Sequence, residues 1–248
     1  MKALTLLAID TDPVSHPLTR YAVHRTLSGV NAAEVLFFGT QPLGLGERFV
    51  KIERFDSIDS YSEFVFKCLW PFICTEFVFI VHWDGFASNP QLWEDAFLDF
   101  DYIGAPWDFY KDAMNVGNGG FCIRSKRLLM ECRSPTIRRF PEVQSGGAED
   151  VVICRIHRQH LEAQGMRFAP REIAARFSYE TGPFPGRTFG FHSPHNMPLN
   201  MNEADLIKLA NPLKRKIRQG PVRDAFVQNC RAMGHKSFLE IFEERPSA

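Results

Sequence analysis

Apolar positions in this chain fall into short unbroken runs, closed by turn clusters and separated by segments with helical spacing. Leu4 to Ile9 is the first run; it ends at Asp10-Thr11-Asp12-Pro13, so a strand leading into a turn is predicted. Ser15 or His16 then opens a helix, with Pro17 at a tolerated early position, that runs to about Leu27 and ends at Gly29. Glu34 to Phe38 reads as a second strand and Phe49 to Ile52 as a third. From Ser57 a helix carries Phe64, Val65, Cys68 and Leu69 on one face until Pro71 disrupts it. Phe77 to Val81 is wholly apolar and rich in β-branched and aromatic residues, the pattern of a strand buried on both faces. Helices between strands in this order predict an α/β layered domain.

The second half is more broken. Asn89 to Trp93 predicts a short helix over the mouth of the sheet, and Phe100 to Ala105 a strand ending at Pro106-Trp107. Met114 to Ile123 holds paired glycines between apolar residues. These are poor strand formers that fit either a plain hairpin or backbone approaching a ligand closely. Arg124 to Arg133 reads as a basic amphipathic helix, and a further helix runs from Val151 to about Gln164. Phe189 to His192 is strand-like. After Asn202 the character changes: Glu203 to Ala210 and Arg223 to Glu243 read as helices around a basic segment containing Lys214, Arg215, Lys216 and Arg218. The predicted division is a main domain over 1–200 and a basic helical appendage over 201–248.

Two carboxylate positions carry candidate chemistry. Asp84 follows the central strand in His82-Trp83-Asp84-Gly85, where open α/β sheets place their ligands; it reads either as a metal ligand or as the start of a turn. Glu149-Asp150 follows Gly146-Gly147-Ala148 and reads either as helix-dipole complements or as a paired carboxylate, one member held as a base. Trp70, Trp83 and Trp93 read as core or lid packing, and His157 and His160 as solvated. Trp107, in a loop after Pro106, is the better candidate for a ring that stacks on a ligand.

Composition narrows the class. The chain has 248 residues, and 29 basic residues balance 29 acidic ones, so no overall field draws it to nucleic acid. The six cysteines form no Cys-x-x-Cys pair, which predicts isolated buried thiols and no structural zinc. Neither Gly-x-Gly-x-x-Gly nor the Walker pattern is present, which disfavours a dinucleotide or P-loop site. The short apolar stretch after Met1 lacks a cleavage site and no run is long enough to span a bilayer, so a soluble cytoplasmic protein is predicted. The basic segment near Lys214 is either a solvated helix face or a peripheral contact with the inner face of a membrane.

Taken in order, His82-Trp83-Asp84, Gly117-Asn118-Gly119-Gly120-Phe121, Ala148-Glu149-Asp150 and Phe191-His192 resemble the elements of glycosyltransferases of the GT-A fold. Over roughly residues 3 to 200 the chain also looks like an uncharacterised bacterial family grouped with such enzymes. The resemblance implies a single Rossmann-like GT-A domain with a mixed central sheet between helices. It implies transfer of a sugar from a nucleotide-sugar donor to a glycan or lipid-linked acceptor hydroxyl, in bacterial surface polysaccharide synthesis. It casts Asp84 and His192 as metal ligands and Asp150 with Glu149 as the catalytic pair. Asp10, Thr11, His82, Asn118, Gly119 and Gly120 would contact the donor, and Trp107 the acceptor. His82 departs from the pattern by standing at the first acidic position. An imidazole there could hydrogen-bond the ribose, or ligate Mn²⁺ but poorly Mg²⁺, so Mn²⁺ is the expected cation. Two alternatives stay open: an inactive nucleotide- or sugar-binding domain of the same fold, which His82 favours, and a nucleotidyltransferase, which would need more carboxylates near Asp84. Inversion and retention are not distinguished.

Overall fold

A computed structural model describes residues 2–142 and 146–244. Met1, 143–145 and 245–248 lie outside the described residues, and with them the outer ends of the two predicted regions. The main sheet comprises β1 (Leu4–Asp10), β2 (Glu34–Gly39), β3 (Arg48–Lys51), β4 (Phe77–Val81), β6 (Tyr102–Ile103) and β9 (Phe121–Ser125), in the order β3-β2-β1-β4-β9-β6. Neighbours from β3 to β4 are parallel; β9 runs antiparallel to β4, and β6 antiparallel to β9. A small sheet joins β5 (Phe86–Ala87), β10 (Ser178–Tyr179) and β11 (Gly190–Phe191), and a two-stranded ladder pairs β7 (Ala105–Pro106) with β8 (Val116–Gly117). The predicted α/β class and mixed central sheet are therefore present.

Strand periodicity sorts the core into two layers. Val78 and Ile80 of β4 face one way with Leu7, Leu36 and Phe38, while Phe77, Phe79 and Val81 face the other with Leu6, Phe37 and Phe121. The first layer is covered by α2 (Ile58–Glu63), α3 (Lys126–Glu131), α4 (Glu149–Val151) and α5 (Arg158–Ala163). The second is closed by α6 (Arg171–Phe177) and aromatic side chains, with α1 (His16–Leu27) packing against β1 and β5. Ser57 starts α2 by a reciprocal bond with Ser60, and the helix continues as a wider turn to Cys68.

Four readings need correction. The strand expected over Phe100 to Ala105 is split at Gly104, where any side chain would collide with the Gly117 carbonyl. Arg124 lies on β9 and not on a helix, because Ser125 caps the following turn by accepting from Leu128 N at 3.1 Å and α3 starts only at Lys126. The expected helix from Arg223 to Glu243 is two, α10 (Pro221–Ala232) and α11 (Lys236–Glu243), separated at Gly234 with φ 75°. Cys68 and Cys74 are exposed, whereas Cys122, Cys132, Cys154 and Cys230 are buried thiols.

The region expected to be an appendage holds α8 (Glu203–Lys208), α9 (Ala210–Lys216), α10 and α11, following α7 (Met197–Asn200). It shares one apolar cluster with Leu18 and Ala22 of α1, Phe86 of β5 and Phe191 of β11. Its basic segment turns partly inward. Lys216 pairs with Asp12 at 3.1 Å and lies 5.5 Å from the Trp83 ring centroid, while Lys214 donates to the Ile241 carbonyl at 3.3 Å. Arg215 and Arg218 remain exposed. Among the described residues no helix is long and apolar enough to cross a membrane.

Candidate metal centre and carboxylate pair

The carboxyl end of β4 turns back on itself at once. His82 N donates to Gly85 O at 3.0 Å and Gly85 N to His82 O at 3.1 Å, leaving Trp83 and Asp84 as a two-residue tip. The chain continues as β5, which pairs antiparallel with β11 so that Phe86 faces Phe191 and Ala87 faces Gly190. This register delivers His192 beside the hairpin. Gly85 permits the approach: a Cβ there would sit 2.8 Å from both the His192 ring and the Gly120 carbonyl. His82, Asp84 and His192 can each offer one ligand atom within 4.8 Å of the others, and His192 Nε2 lies 3.7 Å from Asp84 Oδ1.

Both imidazoles are held from behind. Glu180 accepts from His192 Nδ1 at 2.8 Å, which leaves His192 Nε2 for a cation, and the Tyr61 hydroxyl meets His82 Nε2 at 2.6 Å. Burial opposes a charge on His192, but Asp84 and Glu180 outweigh it and raise its pKa to about 9. Burial and then the neighbouring His192 push His82 down to about 4, so it is neutral. A divalent cation would take the place of the His192 proton. Two neutral nitrogens and one carboxylate, each imidazole fixed by a second partner, fit Mn²⁺ or another borderline ion better than Mg²⁺. Sequence reasoning left His82 between the donor ribose and the cation; the structure brings it within reach of Asp84 and His192.

The glycine stretch makes room for protein groups. Asn118 adopts φ 86°, and its Oδ1 accepts from Gly120 N at 2.8 Å and Phe121 N at 3.0 Å. A side chain on Gly120 would overlap His192 Nε2, and one on Gly119 would overlap the Glu149 carboxylate. Glu149 is buried and accepts from Arg124 at 2.8 Å and from Ser62 at 3.3 Å. Arg124 is fully buried, its guanidinium 5.3 Å from the Tyr102 ring centroid. Burial alone would raise Glu149, but Arg124 holds it below the usual carboxylate range. The adjacent Asp150, half-buried, has no such cation in hydrogen-bond contact among the described residues; burial and then the Glu149 charge push it up to about 7. One neighbour is therefore held ionised while the other titrates near neutrality.

The remaining predicted residues are placed as follows. Asp10 is buried at the end of β1, where its carboxylate accepts from Ser15 at 2.8 Å, Asp12 N at 3.0 Å and Thr19 at 2.5 Å; it organises the turn into α1. The Thr11 hydroxyl accepts from Phe55 N at 3.2 Å. Trp107 is only 3% exposed and packs beneath Gly117, so its ring offers no face to an acceptor; the exposed aromatic next to it is Phe109. Sequence reasoning missed Arg124, Tyr61 and Glu180. Glu180 had a usable signal, a carboxylate directly after the short run Ser178-Tyr179, and Arg124 had another, a lone cation closing the apolar run from Phe121.

The chain is similar in part to several solved structures. One is a glycosyltransferase involved in glycosylation of the major capsid of PBCV-1 (11% identity, TM-score 0.47, 77% of this chain and 92% of that one). Another is the Pyrobaculum calidifontis mannosyltransferase PcManGT in complex with GDP-Man and Mn²⁺ (12% identity, TM-score 0.42, 97% and 73%). A third is an active-site mutant of LgtC (11% identity, TM-score 0.43, 88% and 97%). No curated protein matches the chain in sequence. Residues 45–192, more than half of the chain and the stretch that holds His82, Asp84, Glu149, Asp150 and His192, match one family model throughout, and the protein belongs to that family, described as Protein of unknown function (DUF5672).

Proposed function

We propose that this protein is a metal-dependent glycosyltransferase that moves a sugar from a nucleotide-sugar to an acceptor hydroxyl. The observation that carries the reading is the His82, Asp84 and His192 cluster at the carboxyl end of the central parallel strand. Open α/β sheets bind ligands at that edge. A nucleoside diphosphate leaves readily only when its developing charge is neutralised, and a divalent cation supplies that charge. This chain's own residues do the rest. Asp84 and His192, with His82, would hold the cation. Asp150, with its pKa about 7, suits removal of the acceptor proton near neutral pH. Glu149 is tied to Arg124 and serves to set the charge beside Asp150. Asp10 and Thr11 shape the donor side through backbone at the end of β1, and Asn118, Gly119 and Gly120 shape it through the loop between the metal centre and Glu149. The proposal extends to glycan or lipid-linked acceptors of bacterial surface polysaccharide synthesis, made at the cytoplasmic face of a membrane, with Arg215 and Arg218 as the outward-facing cations.

The non-catalytic reading draws on one observation, an imidazole at His82 where a second carboxylate would strengthen the cation site. A nucleotide-sugar panel separates the two. Thermal shift with Mn²⁺, with Mg²⁺ and without cation should show stabilisation by one donor in Mn²⁺. Asp84→Ala should abolish that shift while leaving the unliganded Tm unchanged. Donor binding that ignores the cation, or survives Asp84→Ala, would sink the metal assignment; Mn²⁺-dependent binding with no hydrolysis or transfer would favour the binding-domain reading.

A further inference from the structure

The candidate metal centre occupies the carboxyl end of β4. At the other end, where Phe77 opens the strand, lies a cleft of about 560 Å³. It is bounded by the start of β4, the carboxyl end of β9, α3 and the segment that leads into β6. Its volume falls within the range of small-molecule sites. Five residues at about 3.3 Å each place Phe77 roughly 16 Å from His82, so the two sites are separate.

The cleft is apolar inside and charged at its rim. Phe77 and Leu98 form the floor, and Phe100 and Met130 the walls. Met130 is 50% exposed, whereas its helix α3 sends Leu128 and Leu129 into the core. Two of the rim cations are already matched. Lys2 donates to Asp99 at 2.9 Å and to the Leu98 carbonyl at 2.6 Å, and Arg127 donates to Asp101 at 2.6 Å and to the Gly165 carbonyl at 3.0 Å. Asp101, nearly buried, also accepts from Arg167 N at 2.8 Å, so its charge is turned inward.

Two other cations are left over. The side chains of Lys126 and Arg167 make no hydrogen bond or ion pair among the described residues; the Arg167 guanidinium lies 5.4 Å from the Phe100 ring centroid. Against them stands one acid without a cation partner, Glu76, which accepts from Ala3 N at 3.2 Å. The rim thus keeps a positive excess on a chain whose charges otherwise balance at 29 and 29. An apolar trough beside unmatched cations suits a molecule with an apolar body and an anionic head, because a charge-assisted bond to the head adds to burial of the body. The acids interspersed at the rim, Glu76 and Asp99, disfavour a broad anionic surface such as a bilayer and leave a free small molecule as the occupant. We propose that this cleft binds a free amphipathic anion, an aliphatic or aromatic body carrying one carboxylate or phosphate, with the body on Phe100 and Met130 and the head at Lys126 and Arg167. The proposal does not rest on the glycosyl-transfer reading.

The test titrates the full-length protein with octanoate and octyl phosphate, and with octanol as the neutral ligand of equal chain length, using amide chemical-shift mapping and calorimetry. The anions should shift amides of residues 74–77, 98–101 and 125–130, and at least one should bind about tenfold or more tighter than octanol. Lys126→Gln with Arg167→Gln should remove that advantage with little change in Tm, since neither side chain has a polar partner to lose. Met130→Asp should weaken the anions and the alcohol alike. Asp84→Ala should bind all of them like wild type. No shift at millimolar ligand, shifts confined to another surface, equal binding of anion and alcohol, or unchanged anion binding in the double glutamine variant would each overturn the site. Loss of co-sedimentation with anionic vesicles in that variant would assign the two cations to a membrane contact and overturn the free ligand.

Discussion

Asp150→Asn separates function from stability most sharply. Asp150 is raised from 3.8 to about 7, chiefly by burial and then by Glu149. A carboxyl that binds its proton more tightly in the folded chain than in the unfolded one lowers stability as pH rises. Nothing is lost below the unfolded value, the loss grows between about pH 4 and about pH 7, and it is complete above the folded value. Three units at ~1.36 kcal/mol each set an upper bound of about 4 kcal/mol. Part of the carboxylate remains in solvent, which reduces this to about 1–3 kcal/mol. Asparagine carries no charge and keeps an oxygen for the Val151 N–H, which donates to Asp150 Oδ1 at 2.8 Å. The variant should therefore melt about 2–12 °C above wild type at about pH 8, and the gain should shrink steadily toward about pH 5. Turnover should fall ~10²-fold or more with donor binding little changed, as for loss of a general base. Calorimetric melts across that pH range, paired with initial rates, make the measurement. A variant no more stable than wild type at about pH 8, or a gain equal at both ends of the range, would refute the assignment of a strained, titrating carboxylate.

Arg124→Met should cost about 3–5 kcal/mol in urea unfolding because it strands the Glu149 charge in the core, and adding Glu149→Gln should recover much of that; a strictly additive double variant would contradict the pairing. Gly120→Ala should weaken Mn²⁺ binding about tenfold or more, since the new methyl occupies the space in front of His192 Nε2, with calorimetric titration as the readout. Arg215→Gln with Arg218→Gln should abolish co-sedimentation with anionic vesicles at low salt, whereas Lys216→Gln should leave it unchanged and lower Tm through loss of the Asp12 pair; the reverse pattern counts against the outward-facing assignment.

The strands were legible where burial on both faces leaves few polar positions. Phe77 to Val81 has none and Leu4 to Ile9 only Thr5, and the structure extends the latter by a single residue, Asp10. The hairpin after β4 was legible from Gly85 and its neighbours. What the sequence hides is pairing at a distance. Arg124 looks like the first residue of a basic helix until Glu149, 25 positions later, is placed against it in the core. Trp107 looks like a loop aromatic, yet Gly117 lacks a side chain and the indole fills that space. Glu180 has no local pattern that links it to His192; only the pairing of β10 with β11 brings the two together. The glycine pair was read either as a plain hairpin or as backbone approaching a ligand. The close approach that the structure displays is to the His192 ring and the Glu149 carboxylate.

The apolar cluster that joins the C-terminal helices to Phe86 and Phe191 bears on how this protein can change over time. β5 and β11 are two residues long each, too short to hold their register unaided, and the helices behind them act as their foundation. A chain ending near residue 200 would turn those two rings toward water and loosen the ladder that sets Asp84 against His192. The last fifth of the protein is thus not a cassette that can be lost or traded between relatives on its own. Substitutions at Phe226, Phe238 or Phe242 would be felt as slackness at the cation ligands, and drift in the two regions should be correlated, each change in the foundation answered by one in α1, β5 or β11.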